Sequence, residues 1–367
     1  MKLCLITGAR SDWGLLEPLA AKIAGDPGLT LQIIVLGSHL SPEFGLTVNH
    51  IKHHIDARIE CVLSSDSPTA VAKSLGLINI SLPEAFERLS PDAVVLLGDR
   101  CEILSAATVA HLHNIPIIHI HGGEVTAAAV DDAFRHAITK MSALHFVAAE
   151  PYRQRVIQLG EDPARVFCVG ALGCSGLVKR KWRQLEPKQI LLAYYPETIW
   201  SDGSELREIL SAVAELDLQT VVFLKGCYDV GSLHLQYALD DYGVSQYERY
   251  DTMDRLLFLE KMAASDAIVG NSSSGIIEAP ALGVPTINIG DRQKGRLMAG
   301  SIIQAEASRE SVKAAFDRLY SADFQTMMQG DYFTPYQGGD VAGKIIEIVK
   351  SELPGVELRK GFYDLAR

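Results

Sequence analysis

Two short apolar runs fix most of what this chain can become. Ala93-Val94-Val95-Leu96-Leu97 and Ile115 to Ile120 flank a helix-like segment, Glu102 to His113, and each run stops abruptly in polar residues. A continuous apolar run of this length suits a strand buried on both faces. Strands alternating with helices predict a parallel sheet with helices on both sides. The first run ends in Gly98-Asp99-Arg100 and the second in His121-Gly122-Gly123-Glu124. A third segment opens with Asp131-Asp132 and carries Arg135 and His136. Polar clusters thus arrive at the carboxyl ends of strands, where open α/β sheets bind ligands. Helix capping and solvation would account for these residues one at a time, but not for so many in one stretch. Asp99, Arg100, Glu102, His119, His121, Glu124, Asp131, Asp132, Arg135 and His136 are therefore the residues of this stretch expected to be functional.

The same rhythm runs through the chain. Lys2 to Thr7 reads as a strand entering Gly8-Ala9-Arg10-Ser11-Asp12-Trp13-Gly14, with helical spacing from Leu15 to Ala24. A strand, a glycine-bearing turn and a helix N-terminus make a junction suited to phosphate. Further strands are expected at 29–36, 58–62, 144–147 and 165–169, with helices at 67–89 and 151–159. The charged stretch KRKWRQLEPKQ at 179–189 breaks the pattern and marks a domain boundary. Strands then resume at 190–194, 220–224, 267–269 and 284–289, with helices at 205–215, 253–264 and 276–282. The tail from Glu310 reads as helical in two pieces, interrupted around an aromatic loop from Tyr332 to Gly339.

With 367 residues, the chain is too long for a single compact core. The expected class is α/β: two doubly wound, Rossmann-like domains, 1–180 and 181–367, facing each other across a cleft. The C-terminal helices would pack back on the first domain. A net charge of −11 argues against wrapping nucleic acid or docking on an anionic membrane, yet leaves room for a small anion held by a few arginines. No apolar run approaches the roughly 18 residues of a membrane span. The six cysteines are scattered with no CxxC pair, as in a cytoplasmic protein with reduced thiols. The start, MKLCLITGAR, turns polar too soon for a signal peptide. His50, His53 and His54 lie in polar surroundings without acidic or cysteine partners at ligand spacing, and read as a solvated helix face.

The second strong motif is Gly270-Asn271-Ser272-Ser273-Ser274-Gly275, between a strand and a helix. Backbone N–H groups and hydroxyls there suit a phosphate or diphosphate. Glu278 is expected one helical turn past Ser274, where a carboxylate can accept two hydrogen bonds from a ribose diol. Arg292 follows the next strand and could reach the same phosphates bidentately. His119 and His121 are expected to face the same way on one strand. With Glu124 they would make three zinc ligands, but no further ligand lies at typical spacing, and hydrogen-bonding or acid–base roles suit them better. Crowded carboxylates cannot all ionise easily, so their pKa values should spread, supplying an acid and a base near neutral pH.

Taken together, GDR at 98–100, HIHGGE at 119–124, DDAFRHAITKMSALHF at 131–146, VGALG at 169–173 and GNSSSGIIEAP at 270–280 resemble the hydrolysing UDP-N-acetylglucosamine 2-epimerases. Relatives of that family act in sialic-acid and legionaminic-acid pathways. The resemblance implies a GT-B-like fold with the active site between the halves, no cofactor and no metal, and a homodimer or homotetramer. It implies that Arg10, Arg100, Ser272, Ser273, Glu278 and Arg292 hold the nucleotide, with Asn271, Ser274 and Gly275 in the same loop. Asp99, Glu124, Asp131 and Asp132 would form the acid–base set, ordered by Arg135 and His136.

The implied reaction turns UDP-N-acetylglucosamine into N-acetylmannosamine plus UDP through a 2-acetamidoglycal. A non-hydrolysing epimerase would share the elimination and return UDP to the sugar. A GT-B glycosyltransferase would share the serine loop without needing so many acids. Two positions depart from the family. Tyr195 stands where it often has histidine, and Cys227 where it often has asparagine, both at the substrate. Fewer polar contacts and more apolar surface there would suit a 6-deoxy sugar, UDP-2,4-diacetamido-2,4,6-trideoxyglucose. Neighbouring side chains could equally restore the contacts for UDP-N-acetylglucosamine.

Overall fold

In the computed structural model the apolar runs form two separate, wholly parallel sheets. The structure describes residues 1–65, 67–126, 131–195, 203–216, 218, 220–224, 247–250, 253–336 and 338–365. The chain divides into two compact units. The first comprises 1–125, 129–176 and 338–367, the second 126–128 and 177–337. The chain thus leaves the first unit at Gly176 and rejoins it at Gly338.

In the first unit, β1 (Lys2–Thr7), β2 (Thr30–Leu36), β3 (Ala57–Ile59), β4 (Ala93–Leu97), β5 (Ile117–Ile120), β6 (Leu144–Val147) and β7 (Val166–Cys168) are ordered β3-β2-β1-β4-β5-β6-β7. Successive residues serve opposite cores, as the period of a strand requires. Leu3 and Leu5 enter one apolar cluster, Cys4 and Ile6 the other. In β4, Ala93, Val95 and Leu97 join the first, Val94 and Leu96 the second. Helices α1 (Arg10–Gly25), α2 (Pro68–Leu89), α3 (Cys101–Leu112), α4 (Asp131–Met141) and α5 (Glu150–Gln158) connect the strands. The N-terminus of α2 is set by Pro68 in its first turn and by the Ser67 hydroxyl, which accepts from the Ala70 N–H at 3.2 Å.

The second unit repeats the plan. Strands β8 (Gln189–Ala193), β9 (Thr220–Leu224), β10 (Tyr247–Tyr250), β11 (Ala267–Gly270), β12 (Thr286–Ile289) and β13 (Ile302–Ala305) are ordered β10-β9-β8-β11-β12-β13. Its helices among the described residues are α6 (Ser204–Ala214), α7 (Arg255–Ala264), α8 (Ser273–Ile276), α9 (Glu278–Leu282), α10 (Arg309–Leu319) and α11 (Ala322–Gln329). The last helix, α12 (Val341–Glu352), returns to the first unit. There Val341, Ala342, Ile345 and Val349 share a core with Trp13, Leu16, Leu19 and Ile23 of α1.

Several local expectations are corrected. Helix α1 begins at Arg10 rather than Leu15, so the supposed glycine turn is already helical. The His50 region is a 3₁₀ turn, Thr47–His50, followed by irregular chain, not a helix face. The tail holds three helices, because Ser321 starts a new one. Strands β10 and β13 carry charged or polar residues amid their apolar ones and escaped notice.

Candidate active site

Both sheets reverse their order of strand addition beside the first strand of the unit, between β1 and β4 and between β8 and β11. Loops after such neighbouring strands diverge and leave a crevice at the carboxyl edge. The loops after β1, β2, β4 and β5 all leave that edge in the first unit. Gly37 lets the end of β2 close against that of β1. It has φ +65, and a Cβ there would lie 2.6 Å from the Gly8 carbonyl oxygen, so only glycine serves.

The centre of the first unit's polar cluster is Arg135, 1% exposed. One guanidinium nitrogen donates to Asp132 at 2.7 Å and to the Glu124 carbonyl at 2.8 Å. The other donates to Asp99. A planar fork with fixed donors is the group that can bind three acceptors from three segments at once. The His136 imidazole stands 3.6 Å from Asp132. Glu124 is buried, and its carboxylate meets His121 Nδ1 at 2.7 Å. The Leu172 N–H donates to the other His121 nitrogen, Nε2, at 3.1 Å. A backbone N–H can only donate, so Nε2 is the acceptor, and Nδ1 carries the proton given to Glu124.

The two histidines of HIHGGE therefore have separate tasks. His121 lies beyond the end of β5 in the left-handed region, φ +67, so it does not alternate with His119 along the strand as the sequence pattern suggested. His119 donates from Nε2 to the Gly98 carbonyl at 2.8 Å and accepts at Nδ1 from the Thr139 hydroxyl at 3.1 Å. Burial pushes His119 down to about 3, so it stays neutral. It ties the residue before Asp99 to the helix carrying Asp131, Asp132, Arg135 and His136. Among the described residues, no group of three His, Cys, Asp or Glu side chains is disposed to hold a metal ion.

The carboxylates differ as crowding requires. Burial, then the nearby charge of Asp99, raises Asp131 to about 6. Burial likewise raises Asp12 to about 6, against the pull of Arg100. For Glu102 burial acts upward, but the Arg100 guanidinium, 3.1 Å away, wins and holds it below the usual range. Burial lowers His136, against the pull of Asp132. Asp12 was not singled out in the sequence. It occupies the first turn of α1, with Oδ2 buried and lacking a hydrogen-bond partner among the described residues, as does Arg10 Nη1. The cue would have been an acid two residues past the start of a phosphate-type helix.

In the second unit, the Ser272 hydroxyl caps α8 by accepting from the Ser274 N–H at 3.3 Å. Ser273 and Ser274 form the first turn. The expected continuous helix breaks at Ile277 (φ −103, ψ −64) and restarts at Glu278. Glu278 is thus not simply one turn past Ser274. It is buried, 3.8 Å from Arg255, a partner 23 positions earlier that no local pattern announces.

Gly275 and Asn271 also make contacts of their own within the unit. Gly275 packs against β12, where a Cβ would lie 2.8 Å from the Thr286 methyl, and its carbonyl accepts from the Thr286 hydroxyl at 2.6 Å. Asn271 is fully buried and directs both side-chain polar atoms to the Tyr195 backbone. Arg292 donates to the Asn271 carbonyl at 3.1 Å and lies over the Tyr195 ring, 4.8 Å from its centroid. Cys227 lies outside the described residues.

The family described as UDP-N-acetylglucosamine 2-epimerase matches residues 21–350. The chain is 38% identical over 342 residues to the GDP/UDP-N,N'-diacetylbacillosamine 2-epimerase (hydrolyzing) of Campylobacter jejuni subsp. jejuni, with 88% of each chain covered. It is 33% identical over 328 residues to the UDP-N,N'-diacetylbacillosamine 2-epimerase (hydrolyzing) of Legionella pneumophila subsp. pneumophila, covering 85% of this chain and 86% of that one. Among solved structures it resembles the UDP-GlcNAc 2-epimerase from Neisseria meningitidis bound to UDP-GlcNAc. That match has a TM-score of 0.75 at 17% identity and covers 96% of this chain and 100% of the other. The last likeness establishes the fold, a GT-B-like pair of Rossmann-like units.

Proposed function

Because this chain belongs to the UDP-N-acetylglucosamine 2-epimerase family, we propose that it is a hydrolysing 2-epimerase whose substrate is UDP-N,N'-diacetylbacillosamine, a UDP-2,4-diacetamido-2,4,6-trideoxy sugar. The products are UDP and the free sugar inverted at C2. The choice of sugar is supported by the names of the Campylobacter and Legionella relatives. The description of the family favours UDP-N-acetylglucosamine as the second reading.

One observation carries the chemistry: Asp131, raised to about 6, shares a cluster with Asp99 and with Arg135, which also holds Asp132. A carboxylate that titrates near neutrality can take a proton and return one. Cleavage of the anomeric C–O bond sends its electron pair to the diphosphate. Arg10, Arg100 and Arg292, with Ser272 and Ser273, would stabilise that charge. Glu278 would hold the ribose. Positive character at C1 acidifies C2–H, and a carboxylate of the Asp99, Glu124, Asp131 and Asp132 set removes that proton. The C1–C2 double bond of a 2-acetamidoglycal results. Water then adds its hydroxyl to C1, and a proton is delivered to C2 from the opposite face. His121 keeps the Glu124 carboxylate oriented, while Arg135 keeps Asp99 and Asp132 in place.

The test compares kcat/KM for UDP-N,N'-diacetylbacillosamine and UDP-N-acetylglucosamine, with the released sugar identified by NMR. The diacetamido sugar is expected to be preferred by more than about tenfold, roughly 1.4 kcal/mol of transition-state binding. A preference of that size for UDP-N-acetylglucosamine would reverse the assignment of the sugar. Absence of free 2-epimerised sugar from either would remove the hydrolysing reaction itself.

A further inference from the structure

The Tyr195 side chain stands where the related enzymes often carry histidine, which suggested a residue that reads the sugar. Its surroundings tie it to Arg292. Tyr195 lies two residues beyond β8, and Asn271 directly beyond the neighbouring β11, whose Gly270 is in register with Ala193. The Tyr195 N–H donates to Asn271 Oδ1 at 2.8 Å, and Asn271 Nδ2 donates to the Tyr195 carbonyl at 2.8 Å. The side-chain amide acts as one more peptide unit, continuing the β8–β11 pairing beyond the strand ends. Both backbone polar groups of Tyr195 are engaged, so the direction in which its Cα–Cβ bond leaves the strand end is set. The close approach needs Gly270, φ +127, because a Cβ there would lie 2.2 Å from the Ala193 carbonyl oxygen.

Asn271 also faces the other way. Its carbonyl accepts from Arg292 Nη1 at 3.1 Å and from Gln293 Nε2 at 2.9 Å. The Arg292 guanidinium carbon is 4.8 Å from the Tyr195 ring centroid, within the range of a cation–π contact. One buried asparagine thus joins an aromatic platform from the end of β8 to a guanidinium from the end of β12. An arginine stem otherwise has many rotamers to lose on binding an anion. Stacked and tethered, this one has lost them beforehand.

We propose that Tyr195 is a positioning residue for Arg292. It holds the guanidinium ready for the diphosphate of the nucleotide and takes no part in choosing the sugar. The proposal rests on the reading of the second unit as the UDP-binding half. A phenol ring suits the task better than imidazole, because its face is always neutral and electron-rich, whereas a protonated histidine would repel the guanidinium.

The experiment is calorimetric titration of the full-length protein with UDP, using wild type, Tyr195→Phe, Tyr195→Leu, Arg292→Met and the Tyr195→Leu/Arg292→Met double variant. Circular dichroism confirms that each is folded. Tyr195→Phe keeps the ring and retains UDP affinity within about twofold, while Tyr195→Leu loses roughly three- to tenfold. In the Arg292→Met background, the same leucine substitution produces no further loss, since the cation over the ring is gone. A purely structural tyrosine would not show that dependence. The kcat/KM ratio between the two UDP-sugars changes less than about twofold in Tyr195→Phe and Tyr195→Leu. The proposal is overturned by unchanged UDP affinity in Tyr195→Leu, by an equal loss in both backgrounds, or by a shifted sugar ratio at constant UDP affinity. Failure of the wild type to bind UDP would overturn the reading of the second unit together with the proposal.

Discussion

Asp131 should make the folded protein less stable at the pH where it works. Burial first, and the Asp99 charge second, raise its pKa from the ordinary 3.8 to about 6. A raised acid pKa means that the folded state binds the proton more tightly than the unfolded chain. Stability from this group is therefore fully present below 3.8 and is lost as pH rises from 3.8 through 6. The shift of about 2 units corresponds to about 3 kcal/mol once the carboxylate is ionised in both states. Asp131→Asn removes the charge but keeps the shape. It should stabilise the protein by about 3 kcal/mol at pH 8 and by only about 0.5 kcal/mol at pH 4. Turnover should fall by on the order of 10²-fold. The assay is urea unfolding of wild type and variant, followed by far-UV circular dichroism at both pH values, beside a UDP-release assay. A variant less stable than wild type at pH 8, or stabilised equally at pH 4 and pH 8, would show that Asp131 is not held charged against its surroundings.

Other substitutions probe the supports of the cluster. Arg135→Met leaves Asp99 and Asp132 without their guanidinium, and should lower unfolding stability by about 3–5 kcal/mol; a urea midpoint unchanged from wild type would show that Arg135 does not hold the cluster. His119→Phe breaks the link between the Gly98 carbonyl and Thr139, and should reduce kcat roughly tenfold with KM little altered. His119→Gln, which can still donate to one partner and accept from the other, should recover most of that loss; equal defects in the two variants would reduce His119 to a space-filling residue.

The fold was legible because its cause is local. Uninterrupted apolar runs such as 93–97, punctuated by glycine and polar residues, can hardly be other than strands buried on both faces, and β1, β6 and β9 lie where the pattern put them. Elements with mixed composition were harder. In β10, Tyr-Glu-Arg-Tyr, nothing local announces a strand. The catalytic candidates were legible as a stretch because Asp99, Glu124 and Asp131 follow strand ends or open a helix. What remained hidden were relations made only by tertiary contact. His121 leaves the strand period at a left-handed residue and turns to Glu124 and the Leu172 N–H. Asn271 looks like a ligand residue in GNSSSG, yet its amide is engaged by the Tyr195 backbone. Arg255 reaches Glu278 from a helix that no motif connects to it.

In the proposed reaction a carboxylate of this cluster removes the C2 proton, and the reprotonated sugar leaves free of UDP. The direct measurement is proton and carbon NMR of the reaction of UDP-N,N'-diacetylbacillosamine with the protein in deuterated water. The expected result is release of UDP with a free manno-configured sugar carrying a single deuterium at C2. A released 2-epimer that keeps its C2 proton, or a 2-epimer still joined to UDP with no free sugar formed, would contradict it.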